Sequence, residues 1–296
     1  MKNQTDLTAT LGPDLPSTLT LTSRAATRSS VPRDRARRLF WALVSTALSL
    51  GLFLLVWYIA TLYRVELYVR FTNIPTPGAV FDAFIVQIQI PAFQTHIVNS
   101  VRRIAIGFGM AVIVAVPLGL AIGRYERFRA LVYPAIDVLR PIPAIAWVPM
   151  SIMLWPTNET SICFITFLGA FYPILVNTIG GVTAIDAVYL RAARTLGASE
   201  MFLLRTVVLP AALPHIFTGA TVGIGVAWVS LIAAEMISGQ FGIGYFTWEA
   251  YALVQYADIA LGMATIGLLG FLSSEIVRRA GELVMPGLAF RVQERH

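Results

Sequence analysis

Long apolar runs without charged residues dominate the pattern along this chain. Such runs occupy residues 39–63, 104–123, 141–158, 160–185, 206–234 and 259–274. A helix needs about 20 apolar residues to cross a hydrocarbon core about 30 Å thick. Four runs are long enough alone; the third needs a helix that starts near Leu131, and the sixth an extension to about Arg279. The pattern therefore predicts an all-α membrane protein with about six transmembrane helices.

The composition agrees with this pattern and excludes several kinds of catalytic and metal-binding site. Hydrophobic residues make up 57% and charged residues 13% of the chain, whereas globular domains carry about 25% charged residues. A water-soluble enzyme is therefore excluded. Lys2 is the only lysine, so the chain has neither a Walker-A loop nor a lysine for a Schiff base. The single cysteine, Cys163, and three dispersed histidines leave no metal-ligand cluster. We expect no catalytic residues, cofactor, metal or nucleic-acid partner.

Basic residues predict the orientation of the spans. The segments 1–38, 124–129, 185–210 and 278–296 hold 17 of the 22 Lys and Arg residues, and the alternate segments hold 4. Cytoplasmic segments of membrane proteins carry such an excess. Both termini are therefore expected in the cytoplasm.

Three regions follow from this arrangement. Residues 1–37 predict a disordered, basic cytoplasmic tail that contacts membrane lipid. Residues 38–285 form the membrane domain, and residues 286–296 a cytoplasmic C-terminal tail. Within 75–100, prolines and a glycine predict an extended turn followed by an outer amphipathic helix.

The cytoplasmic loop 185–210 predicts two short helices. Asp186 caps the first helix and Gly197 stops it, because glycine tolerates the left-handed conformation at a helix C-terminus. Ser199 then caps the second helix. Two further residues predict a break in the chain before the fifth span, Pro210 and Pro214.

The first of these helices has the composition of a contact surface. Ala192 and Ala193 allow close approach of another backbone, Leu196 supplies an apolar knob, and Arg191 and Arg194 can pair with acidic groups. The alternative is a solvated loop that only joins two spans.

A resemblance favours the contact surface. Arg191-Ala192-Ala193, Gly197 and Val207–Pro210 are similar to the E-A-A-x-x-x-G-x9-I-x-L-P loop of ABC importer permeases, with Arg191 in place of the Glu and Val207 in place of the Ile. Further segments resemble the nitrate/sulfonate/taurine/bicarbonate permease family: RPIPAIAWVPMSIMLW (140–155), GAFYPILVNTIGGV (169–182), LGAS (196–199), AAEMI (233–237) and GIGY (242–245).

The resemblance implies a type I ABC importer permease-like fold and a set of partners. Such a permease works as a pair, here a homodimer, in the bacterial inner membrane. Separate ABC ATPase subunits hydrolyse ATP, and a periplasmic or lipoprotein solute-binding protein delivers a small anion of the nitrate, sulfonate/taurine or bicarbonate type. The implied ATPase-coupling loop consists of Arg191, Ala192, Ala193, Arg194, Leu196, Gly197, Leu209 and Pro210.

Two other functions are compatible with a helical membrane protein. A secondary carrier driven by an ion gradient would not need the 185–210 loop. A membrane-anchored scaffold would not need a third span that contains Pro141, Pro143 and Pro149.

That third span predicts a translocation path, because broken helices in a bilayer are tolerated where they line a cavity. Arg140 lies three residues after Asp137, which also predicts a self-neutralised pair on one helix face. Trp147 offers a flat wall for an anion. The expected path residues are Arg140, Pro143, Trp147, Asn177 and Glu235.

Other polar residues near the spans have two interpretations each. Glu235 either faces a cavity or partner, or lies near the outer surface and holds the 239–250 loop. Arg102 and Arg103 form either a basic outer entrance for an anion or a contact with a delivery protein or lipid headgroups. Asn177 either faces the path or bonds to a neighbouring helix.

Small residues in the fifth span predict a close helix contact. Gly219 and Gly223 have the small-x-x-x-small spacing that lets helices approach each other. We expect this face to contact the second permease copy. Glu275, before Arg278 and Arg279, predicts a local salt bridge.

Overall fold

The computed structural model describes residues 31–63, 73–238 and 240–285, without the side chains of residues 31–39, 42 and 43. It divides into two units, Met1–Leu55 and Val56–His296. No β-strand occurs among the described residues. The predicted tail segments 1–30 and 286–296 lie outside them, whereas residues 31–37, which the sequence assigned to the tail, are helical.

The described residues form eleven α-helices. In chain order they are α1 (Val31–Leu62), α2 (Pro77–Gln87), α3 (Pro91–Arg124), α4 (Glu126–Leu139), α5 (Val148–Leu154), α6 (Asn158–Thr183), α7 (Ala187–Thr195), α8 (Glu200–Leu203), α9 (Leu209–Ser238), α10 (Ile243–Ala252) and α11 (Tyr256–Val284). A 3₁₀ turn, Ala144–Trp147, precedes α5, and a π turn, Leu204–Val208, precedes α9.

Five segments of the described chain are long and apolar enough to cross a membrane, which confirms the helical membrane fold. They are Val44–Leu62, Pro91–Arg124, Asn158–Thr183, Glu200–Ser238 and Tyr256–Val284. The second begins 13 residues before the predicted apolar run 104–123 and includes Arg102 and Arg103. These charges fit inside a span because the fold supplies them with carboxylate partners.

The third predicted span is not one continuous helix. Helix α4 and the segment Ala144–Leu154 are together long and apolar enough to cross a membrane, but the chain bends by 86° at the break between them. Pro141 and Pro143 lie in that break. Proline has no backbone N–H, so neither residue can donate a hydrogen bond that would continue the helix. The helix therefore ends at Leu139, and the third predicted span is a broken pair of helices.

Helices α3, α6 and α9 form the centre of the second unit. Glycines of α3 face threonines of α6: a Cβ atom built on Gly107 would lie 2.7 Å from Thr166 Cβ, and one on Gly119 2.7 Å from Thr178 Cβ. Both threonine hydroxyls donate to carbonyls of their own helix, at 2.8 and 2.7 Å. The polar groups in this contact are thus satisfied while the backbones pack closely.

The contact between α6 and α9 uses the glycine pair of the fifth span. A Cβ on Gly219 would lie 2.7 Å from Asn177 Cβ, and a Cβ on Gly223 3.1 Å from the Ala170 carbonyl oxygen. Both glycines therefore serve packing within the chain. The expectation that this face contacts a second copy is corrected, because α6 already covers it.

Helix α10 packs between α9 and α11 and has a small core of its own. This core consists of Phe93, Ile243, Phe246 and Leu261. Helix α11 extends beyond the predicted run in both directions, and the local salt bridges from Glu275 to Arg278 and Arg279 are confirmed.

Candidate functional site

The segment between α6 and α9 folds as its sequence predicts. Asp186 accepts a hydrogen bond from the Val188 N–H at 2.8 Å and caps α7. Gly197 has φ +82°, and the N–H groups of Gly197 and Ala198 donate to the Arg194 and Ala193 carbonyls at 2.9 and 3.1 Å. This is the glycine-dependent closure of a helix C-terminus. Ser199 then caps α8 by accepting from Phe202 N–H.

Most side chains of helix α7 are exposed, whereas Leu190 packs against the core formed by Val182, Val208, Ala212 and Ile216. No residue of α7 is buried, and Leu196 at its C-terminus is 88% exposed. Other large apolar side chains in and after α7 are also exposed: Val188, Tyr189, Met201 and Phe202. A group of exposed apolar side chains rimmed by Arg191 and Arg194 is typical of a protein-binding surface.

Glu200 connects this surface to the helix bundle. Its carboxylate lies 2.7 Å from Arg194 Nη2 and 2.7 Å from Arg124 Nη2, at the end of α3. One carboxylate thus joins α7 to the end of a long helix. No feature of the local sequence relates Glu200 to Arg124, which lies 76 residues earlier in the chain.

The predicted break at Pro210 and Pro214 is absent. Residues Glu200–Ser238 form one apolar helical segment, with Pro214 inside α9. The π turn precedes Pro210, and the Leu209 N–H donates to the Leu204 carbonyl, five residues back. A wider turn relieves the clash between a proline ring and the preceding turn, so the helix continues through the prolines.

A cavity of about 380 Å³ opens between the α4–α5 break, α6 and α9. Three predicted path residues line it, Arg140, Pro143 and Asn177, and Tyr172 adds a phenol. Arg140 is the only charged residue among the described residues that line the cavity. The cavity therefore combines one guanidinium with mostly apolar walls.

The expected pairing of Arg140 with Asp137 is not formed. No ion pair joins them in the described part of the chain, and Arg140 lines the cavity instead. Asn177 lines the cavity and donates to the Pro173 carbonyl of its own helix at 2.8 Å, not to a neighbouring helix. Trp147 packs against the apolar core instead of lining the cavity.

Glu235 lies away from this cavity, in a buried ionic network. Arg103 Nη1 donates to Glu235 Oε1 at 2.9 Å, and neither side chain is exposed. Arg103 also donates to Glu159, at the start of α6, and to the Phe241 carbonyl. The network thus joins α3, α6 and α9 at the ends opposite to α7.

The same network binds the beginning of α10. The Ser100 hydroxyl lies 2.8 and 3.0 Å from the two Glu235 carboxylate oxygens. Three consecutive backbone N–H groups donate to its side chains: Gly242 to His96 Nδ1 at 3.0 Å, Ile243 to Ser100 Oγ at 2.9 Å and Gly244 to Glu235 Oε2 at 2.9 Å.

This placement separates the two arginines that the sequence grouped as an outer entrance. Arg103 is fully buried and its charge is paired, so it cannot face an incoming anion from this position. Arg102 is 57% exposed and pairs with Glu159 at 3.1 Å. Sequence reasoning missed His96 and Ser100. Their spacing was a signal, because His96, Ser100 and Arg103 follow one face of a helix at intervals of four and three residues.

Comparison with known families identifies the chain. Residues 115–289, more than half of the chain, match the sequence profile of the binding-protein-dependent transport system inner membrane component. The chain belongs to this family. It is accordingly an integral membrane protein of the permease type.

Individual relatives agree with the family. A protein of Methanocaldococcus jannaschii, named among ABC transporter permeases, is 44% identical over 172 residues, 58% of this chain and 64% of the relative. The bicarbonate transport system permease protein CmpB of Synechococcus elongatus is 40% identical over 181 residues, 61% of this chain and 65% of the relative. The chain thus covers slightly less than two thirds of both relatives. The nitrate import permease protein NrtB of Synechocystis is 33% identical over 224 residues, 73% of this chain and 82% of the relative.

The family match contains most, but not all, of the features described above. The 140–143 break, the cavity walls on α6 and α9, and the α7 surface all lie within residues 115–289. Three members of the buried network, His96, Ser100 and Arg103, precede the matched region. Membership of the family therefore assigns no role to this network.

Proposed function

We propose that this chain is the membrane-spanning subunit of an ATP-driven importer of a small anion. The observation that carries the proposal is the exposed surface of α7, a helix that is capped at both ends. The chain also has no Walker-A lysine with which to bind a nucleotide. Such a chain needs a separate ATPase subunit, and α7 offers that subunit a binding surface. The residues proposed to contact it are those of the coupling loop, Arg191, Ala192, Ala193, Arg194, Leu196, Gly197, Leu209 and Pro210.

The proposed assembly contains two copies of this chain, two ABC ATPase subunits and a solute-binding protein. We place it in the bacterial inner membrane with both termini in the cytoplasm. The excess of Lys and Arg in alternate connections supports this orientation. In it, α7 faces the cytoplasm, where ATP is available, and the Arg103–Glu235 network lies at the outer ends of the helices.

The structure suggests how movement of α7 reaches the cavity. Residues Glu200–Ser238 form one continuous helical segment, and Val222 and Val226 of this segment line the cavity. Glu200 also ties α7 to the end of α3. When ATP binding draws two α7 surfaces together, α9 transmits the displacement along its length, and the cavity alternates between the two sides of the membrane.

The cavity supports an anionic substrate. It holds Arg140, and no carboxylate occurs among the lining residues that the structure describes. A guanidinium binds planar oxyanions through paired N–H donors. Two relatives named above are permeases for nitrate and bicarbonate. We therefore propose nitrate, bicarbonate or a sulfonate such as taurine as the substrate class.

A single substitution tests the coupling surface. Leu196→Asp should abolish ATP-dependent uptake in proteoliposomes that contain the complete transporter, because it places a charge in the proposed ATPase contact. The permease itself should remain stable, since Leu196 is exposed. Leu283→Asp, at a comparably exposed leucine near the end of α11, is the control and should retain uptake and ATPase co-purification. Normal uptake by Leu196→Asp, or uptake driven by an ion gradient without ATP, would contradict the proposal.

The substrate site is tested through Arg140. Arg140→Ala should raise the half-saturating concentration of the transported anion about tenfold or more, because a charge-assisted contact contributes about 1.5–3 kcal/mol. Arg129→Ala removes an arginine outside the cavity lining and should leave that concentration within about twofold. Equal effects of both variants would exclude a specific role for Arg140.

A further inference from the structure

We propose that Glu235 is a positioning residue that, with Ser100 and His96, holds the first turn of α10 against α3, and that it does not contact the transported anion. The transport consequence of this inference rests on the proposed function. The structural part does not, because it concerns only contacts within this chain.

The first argument is the destination of three consecutive N–H groups. The first N–H groups of a helix have no acceptor within the helix. At the beginning of α10, the N–H groups of Gly242, the residue before the helix, and of Ile243 and Gly244 donate to side chains of α3 and α9. Each acceptor comes from a different residue, so the beginning of α10 is bound at three points. A turn attached in this way cannot leave α3 without losing buried hydrogen bonds.

The second argument is that the Glu235 carboxylate has no free oxygen. Oε1 accepts from Arg103 and lies 2.8 Å from Ser100 Oγ, whereas Oε2 accepts from Gly244 N–H and lies 3.0 Å from Ser100 Oγ. The side chain is completely buried. An anionic substrate would also be repelled by this carboxylate. The path role expected from the sequence is therefore replaced by a role in holding α10.

The third argument is steric. Gly242 has φ +137°, and a Cβ atom there would overlap the Glu235 carboxylate. A Cβ on Gly244 would lie 2.7 Å from the Ile232 carbonyl oxygen. The turn thus follows the surface of α9 so closely that only glycine fits at either position.

Arg103 extends this attachment to a third helix. Its guanidinium binds Glu235 of α9 and Glu159 of α6 at the same time. Burying an ion pair is tolerated when its remaining donors and acceptors are satisfied, and here Phe241, Ser100 and Gly244 satisfy them. We infer that the ends of α3, α6, α9 and α10 move as one body during transport.

Hydrogen exchange of the detergent-solubilised protein tests the attachment directly. In the wild type, the amides of residues 242–244 should exchange at least about a hundredfold more slowly than in an unstructured peptide, because opening requires loss of several buried bonds. Exchange at the unstructured rate would overturn the proposal without any variant.

Ser100→Ala removes one acceptor and one donor of the network. It should accelerate exchange of the 242–244 amides about tenfold, with no change in α6. The matched control is Ser230→Ala, because the Ser230 hydroxyl is also buried but donates only to the Val226 carbonyl of its own helix. Glu235→Gln, which keeps the size of the side chain, should act like Ser100→Ala. Unchanged exchange in both Ser100→Ala and Glu235→Gln, or equal acceleration by Ser230→Ala, would overturn the proposal.

Transport kinetics separate positioning from substrate contact. In the reconstituted transporter, Ser100→Ala and Glu235→Gln should lower the maximal uptake rate at least about threefold, with the half-saturating anion concentration unchanged within twofold. A rise in that concentration of tenfold or more at an unchanged maximal rate would instead place Glu235 in the path. If the wild type carries no anion, the proposed function fails, and the exchange experiment still decides the attachment.

Discussion

Arg103 of α3 and Glu235 of α9 form a completely buried ion pair, with 2.9 Å between Nη1 and Oε1. The neighbouring Arg102 is 57% exposed and pairs with Glu159. Two adjacent arginines thus have opposite environments, because they point to different sides of one helix. The buried member joins helices, while the exposed member adds a surface contact.

This difference predicts unequal effects of the same substitution. Arg103→Ala should lower the free energy of unfolding by about 3–5 kcal/mol, because it leaves Glu235 buried without its counter-charge. Arg102→Ala should cost no more than about 1 kcal/mol, as for exposed ion pairs. Thermal unfolding in detergent measures both. Similar melting temperatures for the two variants would show that the buried pair does not hold the helices together.

The packing of α3 on α6 predicts that replacing a glycine of α3 by alanine changes stability by very different amounts at different positions. Gly119→Ala should destabilise the protein by about 1–3 kcal/mol, because the added Cβ overlaps Thr178 and forces the helices apart. Gly109→Ala is the control, since a Cβ there has no neighbour within 4 Å. It should be neutral or slightly stabilising, because alanine favours helix more than glycine does. Thermal unfolding distinguishes the two, and a loss of stability with Gly109→Ala would contradict the packing.

The carboxylate of Glu200 predicts a coupling defect without loss of fold. Glu200→Gln removes the ionic link between Arg194 of α7 and Arg124 of α3. Because the group is exposed, folding should be little affected, whereas ATP-driven uptake should fall and the ATP hydrolysed per anion should rise. Glu282→Gln, which removes another exposed ion pair from the end of α11, is the control and should leave this ratio unchanged. An unchanged ratio in Glu200→Gln would show that the link does not transmit movement.

Val254 predicts a stabilising substitution. Its φ of +59° is costly for a residue with a branched Cβ, by roughly 1–2 kcal/mol. Val254→Gly should therefore raise the melting temperature. Leu253 has φ −89°, so Leu253→Gly should lower it by adding freedom to the unfolded chain. A decrease in both variants would show that the packing of the Val254 side chain outweighs its backbone strain.

Several local features of the fold were predictable because their causes are local. The apolar runs specify the membrane helices, since the hydrocarbon core selects for length and apolarity alone. The caps of α7 and α8 at Asp186, Gly197 and Ser199 follow from residues within one turn of each helix end. The prolines of the third span marked its break, but not its 86° bend.

Other features depended on which helix lies beside which. Glycines Gly219 and Gly223 signalled a close contact, but only the fold shows that the contact is α6 of the same chain. Pro210 and Pro214 were expected to break the chain before the fifth span, yet the helix continues through both, with a π turn before Pro210. The sequence also grouped Glu235 with Arg140, although the two occupy different sites.

The sequence alone was sufficient to predict a helical membrane protein, the positions of most spans and the capped segment that we propose binds the ATPase. These rest on burial in lipid and on capping, which act within one helix or one turn. The tertiary structure alone decided that Arg103 meets Glu235 across 132 residues, that Arg140 faces the expected cavity instead of pairing with Asp137, and that side chains hold the beginning of α10. Such pairings depend on the register and rotation of packed helices, which no single helix specifies.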